Sequence, residues 1–128
     1  MLNKYKPRIW LLDANGHLGS VQSTGVAGLG YKETETDNGQ LLHTRVIQRD
    51  MYVTNTHHDN HDDWTCENSH GARTRIDYEV VCEWLHNATV HHKVLDDFDN
   101  CKTHVDHRPV LTTHRWIHRA QGHLVGQA

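Results

Sequence analysis

Asp13 and Asn15 are the first side chains in the chain whose types and spacing could do chemistry. They close the apolar run Ile9-Trp10-Leu11-Leu12 and precede Gly16. A carboxylate can carry charge, take a proton or hold a metal, and an amide can donate to an oxyanion without titrating. Two positions apart, they would share a face if the chain stayed extended. Asp-Ala-Asn-Gly is also good turn chemistry on its own. Asp77 is the second such residue. It sits inside the otherwise strand-like Ile76-Asp77-Tyr78, where a carboxylate is costly to bury unless it is paired. A salt bridge to Arg73 or Arg75 could supply that pairing. The third set is imidazole-rich, His57-His58-Asp59-Asn60-His61-Asp62-Asp63, with His91-His92 further on. Such a patch can hold Zn²⁺, Cu²⁺ or Ni²⁺. A solvated loop with incidental histidines is the competing reading, because closed zinc sites normally show paired ligand spacings. On a strand, His91 and His92 would face opposite sides.

These residues need elements to position them. Residues 8–14 read as a first, buried strand, and 16–36 as a long glycine-rich connection. No Gly-Lys-Ser/Thr and no dinucleotide fingerprint occurs in that connection. Leu41, Leu42, Val46 and Ile47 recur at near-helical spacing over 38–49, with Asp37-Asn38-Gly39 as a capping segment. Residues 51–56 are rich in strand formers, 63–66 read as a short strand, and 68–72 as a turn. Residues 73–82 read as one strand with Asp77 in its middle, 84–86 as a turn, 88–95 and 109–116 as the last strands. The fold expected is α/β, one largely antiparallel sheet of about five or six strands with one main helix on a face. Trp10, Leu12, Val53, Tyr78, Val80, Val110 and Trp116 are the expected core.

Length and composition bound the rest. The 128 residues make one domain or part of one. Hydrophobic residues are 36%, which allows a lean core, and the net charge of −3 is no footprint of a protein that simply adheres to nucleic acid. Cys66, Cys82 and Cys101 are scattered, with no C-x-x-C spacing, which argues against a disulfide framework and a cysteine-based zinc site. Without a leader-like apolar segment or a membrane-length run, an intracellular protein of cytoplasm or nucleus is expected, with no membrane partner.

Four motifs then appear in order: Asp13-x-Asn15, Trp64-Thr65, Arg75-Ile76-Asp77-Tyr78 and Asp106-His107-Arg108-Pro109-Val110. Together they resemble the endonuclease/exonuclease/phosphatase superfamily, most closely its DNase I-like, retrotransposon-type and craniofacial-development-protein-type branch, over residues 8–116. The resemblance implies half of a four-layer α/β/β/α sandwich and a metal-dependent phosphodiester hydrolase. It implies Asp13 as the group that orients or activates the attacking water, and Asn15 as support for the phosphoryl transition state. Asp77 would orient the catalytic His107. Asp106, with Asp13, would stand at a Mg²⁺ (or Mn²⁺) site, and Trp64 and Thr65 would support it. Nucleic acid, DNA first, is the implied substrate; phosphoinositides and sphingolipids are substrates elsewhere in the superfamily.

Three departures matter. Leu12-Asp13-Ala14-Asn15 stands where the family has Gly-Asp-Phe-Asn, and Val105 where it has Ser. The family's upstream half, with its glutamate metal ligand, has no counterpart: Glu33, Glu35, Glu67, Glu79 and Glu83 all follow Asp13. The chain is therefore expected to be the C-terminal half of such a domain, weak or inactive alone. Its apolar sheet face would need cover from a missing N-terminal half or a partner. A non-catalytic His-rich metal-binding module and a decayed mobile-element remnant are the alternatives.

Overall fold

The centre of the fold is set by the run Asp77–Cys82, whose residues after Asp77 are all buried. A strand buried along its length must be covered on both faces and paired on both edges. The computed structural model describes residues 6–27, 34–58, 64–95 and 107–115. In chain order its elements are β1 (Ile9–Asp13), α1 (Asp37–Gln48), β2 (Met51–Val53), α2 (Thr54–His57), β3 (Cys66–Glu67), β4 (Arg73–Thr74), β5 (Asp77–Cys82), α3 (Glu83–Asn87), β6 (Thr89–Val94) and β7 (Val110–His114). β5 lies between β1 and β2 in an antiparallel three-stranded sheet. β3 with β4 and β6 with β7 form separate antiparallel pairs.

The content is thus mixed α/β with antiparallel sheets and three helices among the described residues. The single sheet of five or six strands expected from the sequence is instead divided into these three sheets. The reason is local. Residues 73–82 do not run as one strand, because the backbone leaves the ladder at Arg75 and Ile76. The amides of Ile76 and Asp77 both donate to the Thr65 hydroxyl, at 3.0 and 3.1 Å. Asp77 consequently opens β5 rather than sitting in the middle of a strand.

The strand expected over 51–56 likewise stops at Val53. Thr54, Asn55 and Thr56 are fully buried on α2, their polar groups tied to Glu79, Asp77 and Val53. The turn expected at 84–86 is α3, and the short strand expected at 63–66 is β3, Cys66–Glu67.

α1 packs its Leu42 and Val46 into the cluster formed with Met51, Val53, Tyr78 and Val80. Leu41 and Ile47, expected on the same stripe, are exposed at 58% and 57%. At 100° per residue the inward face is Gly39, Leu42, His43 and Val46. Thr36 rather than the Asp37 segment caps the helix, its hydroxyl accepting from the Gly39 amide at 3.1 Å. Gly39 also lies against the His17 carbonyl, where any Cβ would overlap it. That contact seats the helix on the loop that follows β1. Of the expected core, Val53, Tyr78 and Val80 are buried, while Trp10 and Leu12 pack partly buried against the cluster. Val110 is half-buried, and Trp116 lies outside the described residues. No helix among the described residues is long and apolar enough to cross a membrane.

Candidate functional site

Antiparallel pairing of β1 with β5 sets Asp13 directly opposite Asp77 at the end of the ladder. Two carboxylates facing each other across strands repel, so the pairing is unfavourable unless a cation or imidazolium lies between them. His107 contacts the second of these carboxylates. Its Nδ1 is 2.9 Å from Asp77 Oδ2, and the two side chains are 46% and 23% exposed. One donor atom each from Asp13, Asp77 and His107 falls within 4.8 Å of the others, the one such group of three among the described residues. The group lines an open cleft of about 400 Å³, with Glu79 and Arg108 on its wall.

Thr65 builds this juxtaposition. It is fully buried. Its hydroxyl accepts the Ile76 and Asp77 amides, its amide donates to Thr74 O at 2.9 Å, and its carbonyl accepts from the Arg108 amide at 2.7 Å. One residue therefore joins the start of β5 to the segment carrying His107. Trp64 completes the brace. Its carbonyl accepts from Arg108 Nε at 3.0 Å, and the Arg108 guanidinium lies over its ring at 3.9 Å. From the other side, Asn55 donates to Asp77 O at 3.1 Å and accepts from the Glu79 amide at 3.0 Å.

The alternative salt bridge of Asp77 to Arg73 or Arg75 is not the arrangement seen. Arg73 pairs with Glu67 at 2.7 Å, and Arg75 is buried with NH1 toward Asn55 O. Asn15 departs from the extended-strand premise. Its φ of 51° is left-handed, and its amide donates to Asp13 Oδ1 at 2.9 Å. The chain has already turned, so Asn15 is exposed and does not line the cleft. Asp106 lies outside the described residues.

The histidine-rich patch is only partly described, since 59–63, and with them His61, lie outside. His57 packs its ring 4.5 Å from His86, which stacks on Tyr52 at 4.3 Å. His91 is exposed and His92 buried, on opposite faces of β6. Burial, then His57 and His58 nearby, lowers His86 to a pKa of about 4. Burial, then His58, Arg75 and His91, lowers His92 to about 4.

Sequence reasoning passed over Asn55, Glu79 and Cys66. Glu79 is nearly buried, accepting from Thr54 Oγ1 at 2.8 Å and lying 3.2 Å from His114 Nε2. The only available signal was a charge at an inward position of an apolar strand, the same signal that singled out Asp77. Cys66 Sγ lies 3.9 Å from His107 Nε2, a contact no spacing rule marks. Compared with family models, with curated proteins and with solved structures, the chain finds no match.

Proposed function

We propose that this chain is a metal-assisted phosphodiester hydrolase of the endonuclease type, slow by itself, with nucleic acid, DNA first, as substrate. The observation that carries the reading is the 2.9 Å contact between Asp77 and His107, with Asp13 in the same cluster on an open cleft. His107 Nδ1–H donates to Asp77 Oδ2, which fixes the tautomer and leaves Nε2 to exchange a proton with a substrate oxygen. Asp13, across the ladder, would orient an attacking water. Arg108 lines the cleft and adds a fixed positive charge for a phosphate.

The donor set fits a hard divalent cation in part. Asp13 and the outer oxygen of Asp77 are the oxygen ligands in reach, and one or two carboxylates suffice for Mg²⁺ when substrate phosphates complete its shell. Bound there, Mg²⁺ would relieve charge on the phosphoryl oxygens. So small a donor set favours weak metal binding and slow turnover, and the net charge of −3 does not help a nucleic-acid substrate to bind. The same proposal takes the β1–β5–β2 sheet with α1 as half of a four-layer α/β/β/α sandwich. Ile9 and Leu11, on the Asp13 face of β1 and exposed at 45% and 77%, are what a second sheet or a partner would cover.

The test is nicking of supercoiled circular DNA by the full chain in Mg²⁺ or Mn²⁺. Nicking should vanish with chelator and fall about 100-fold or more in His107→Ala, the scale of lost acid–base help. Asp13→Ala should also impair it. No nicking by the folded chain, or equal nicking by His107→Ala, would remove the proposal; cleavage of a phosphoinositide in place of DNA would revise its substrate.

A further inference from the structure

We propose that the groove between β1 and α1 is a second binding site, which holds an unpaired nucleic-acid strand where it leaves the cleft, with Trp10 as platform for a base and Arg45 and Arg49 as contacts to its phosphates. The groove has a volume of about 510 Å³, in the range of sites that hold small ligands. Trp10 and Leu12 line it from the strand, and Leu41, Leu42, Arg45 and Arg49 from the helix. α1 starts beside the end of β1, where Asn38 donates to Asn15 O at 3.1 Å. It then runs back along the strand, since Met51, just after the helix, pairs with Cys82 while Ile9 pairs with Val81. The arginines therefore stand at the Trp10 end of the groove.

Arg45 and Arg49 share one helix face and are about 6 Å apart along the axis, a step that suits neighbouring phosphates of an extended strand. Both are exposed, and neither pairs with a carboxylate among the described residues. Arg45 reaches only the neutral Gln48 side chain, at 3.4 Å. A helix C-terminus favours cations, so charge alone would say little there. Two guanidiniums beside an indole are the combination that unpaired strands use: bases stack on the ring while cations track the backbone.

Continuity with the cleft selects the occupant. β1 is the edge strand of its sheet, and Leu12 and Asp13 line both the cleft and the groove. A chain held at His107 reaches the arginines by turning round the end of β1, about 10 Å from Asp13 to Trp10. A duplex, stiff over about 150 base pairs, cannot make that turn, and a single strand can. With a net charge of −3 the binding should be weak and salt-sensitive. The choice of polymer rests on the hydrolytic reading, but binding is measured in chelator, without cleavage, so either can fail alone.

The experiment titrates the full chain, in EDTA, against fluorescein-labelled oligothymidylate of about twelve nucleotides, within the usual site sizes, and follows fluorescence anisotropy. A duplex of the same length should bind at least about 10-fold more weakly. Two phosphate contacts should give a slope of about −1.4 in log K against log salt, and Arg45→Gln and Arg49→Gln should each remove about 0.7 of it. Lys93→Gln, which removes an exposed charge on β6, should bind as the wild type does. Trp10→Ala, in chain shown to be folded by circular dichroism, should weaken binding about 5- to 150-fold, and Trp10→Phe should restore most of it. Equal binding of duplex, a flat salt dependence, arginine variants that bind like the wild type, or oligoglutamate held at these arginines in place of the oligonucleotide would each overturn the site. DNA nicking with unaltered oligonucleotide binding in the arginine variants would remove the groove and leave the hydrolytic reading. Arginine-dependent binding with no nicking would support the groove and remove that reading.

Discussion

Replacing Thr65 by valine removes one oxygen and almost no volume, which isolates what the hydroxyl contributes. Thr65 is fully buried, and its Oγ1 accepts two backbone amides, from Ile76 at 3.0 Å and Asp77 at 3.1 Å. Valine leaves both donors without that acceptor. A buried donor left unsatisfied costs about 1–3 kcal/mol. Both residues are half-buried, so the lower part of that range applies, and the pair should cost about 3 kcal/mol. Against a usual total of about 5–15 kcal/mol that is a large share. At about 4 °C per kcal/mol for a chain of this size, Tm should fall by about 12 °C. Thr65→Ser keeps the hydroxyl and loses a methyl, which costs about 1 kcal/mol and about 4 °C.

The order expected is therefore wild type, then serine, then valine, measured by circular-dichroism melting and by urea titration. Below the valine variant's melting range, its DNA nicking should still be impaired, since Asp77 and His107 lose their shared brace. A valine variant that melts at or above the serine variant would refute the reasoning. It would mean the amides find other partners and the hydroxyl is not what breaks the strand at residues 75 and 76.

Three further outcomes follow from the same geometry. Asp13→Asn removes the like-charge opposition with Asp77 and keeps an oxygen for the Asn15 amide, so in chelator it should gain up to about 1 kcal/mol of stability; a lower Tm in chelator would contradict the repulsion. Gly39→Ala should destabilise by about 1–3 kcal/mol despite alanine's better helix propensity, because a Cβ there overlaps the His17 carbonyl; a variant more stable than wild type in thermal melts would contradict this. His92 is 4% exposed with a folded pKa of about 4 against 6.5 unfolded, so it favours folding fully above pH 6.5, and that contribution is lost as pH falls toward 4. Its loss is worth about 3 kcal/mol, with partly exposed His86 adding in the same direction. The urea midpoint should drop between pH 7 and 4.5, and His92→Gln should flatten that drop.

Residue pattern located β1, α1, β6 and β7, although β1, expected to be a buried strand from its continuous apolar run, alternates exposed and half-buried residues. It failed where a polar group from elsewhere in the chain competes for the backbone. Nothing within 73–82 announces a break, since the acceptor that ends the ladder is Thr65, ten residues upstream of Arg75. Thr54, Asn55 and Thr56 read as strand formers by type. Their buried hydroxyl and amide groups are consumed by Glu79, Asp77 and Val53, which favours the tight turn of α2. Asp77 was legible through cost: a carboxylate among buried neighbours needs a partner, and His107 stands at 2.9 Å. Cys66 was not, because a thiol is ordinary in a strand and its nearness to His107 depends on a bridge between residues 41 apart.

The electrostatics of the ladder's end favour the proposed cation site over a structural knot. A structural solution would pair each carboxylate with an arginine, and two arginines are close by in sequence. Arg73 is instead committed to Glu67, and Arg75 is turned into the interior beside Asn55. The two carboxylates that remain face each other across β1 and β5, at the rim of an open cleft where water still screens them. An imidazole, which can be neutral or charged near neutral pH, is the sole described nitrogen partner of Asp77's carboxylate, and a thiol waits on its other side. Asp13, Asp77 and His107 are each of a type that can accept a metal, while the arginine that lines the cleft is fastened over Trp64. A cation that binds there, as proposed, should raise the stability of the folded chain by mass action, and no rise in Tm with added divalent metal would count against the site.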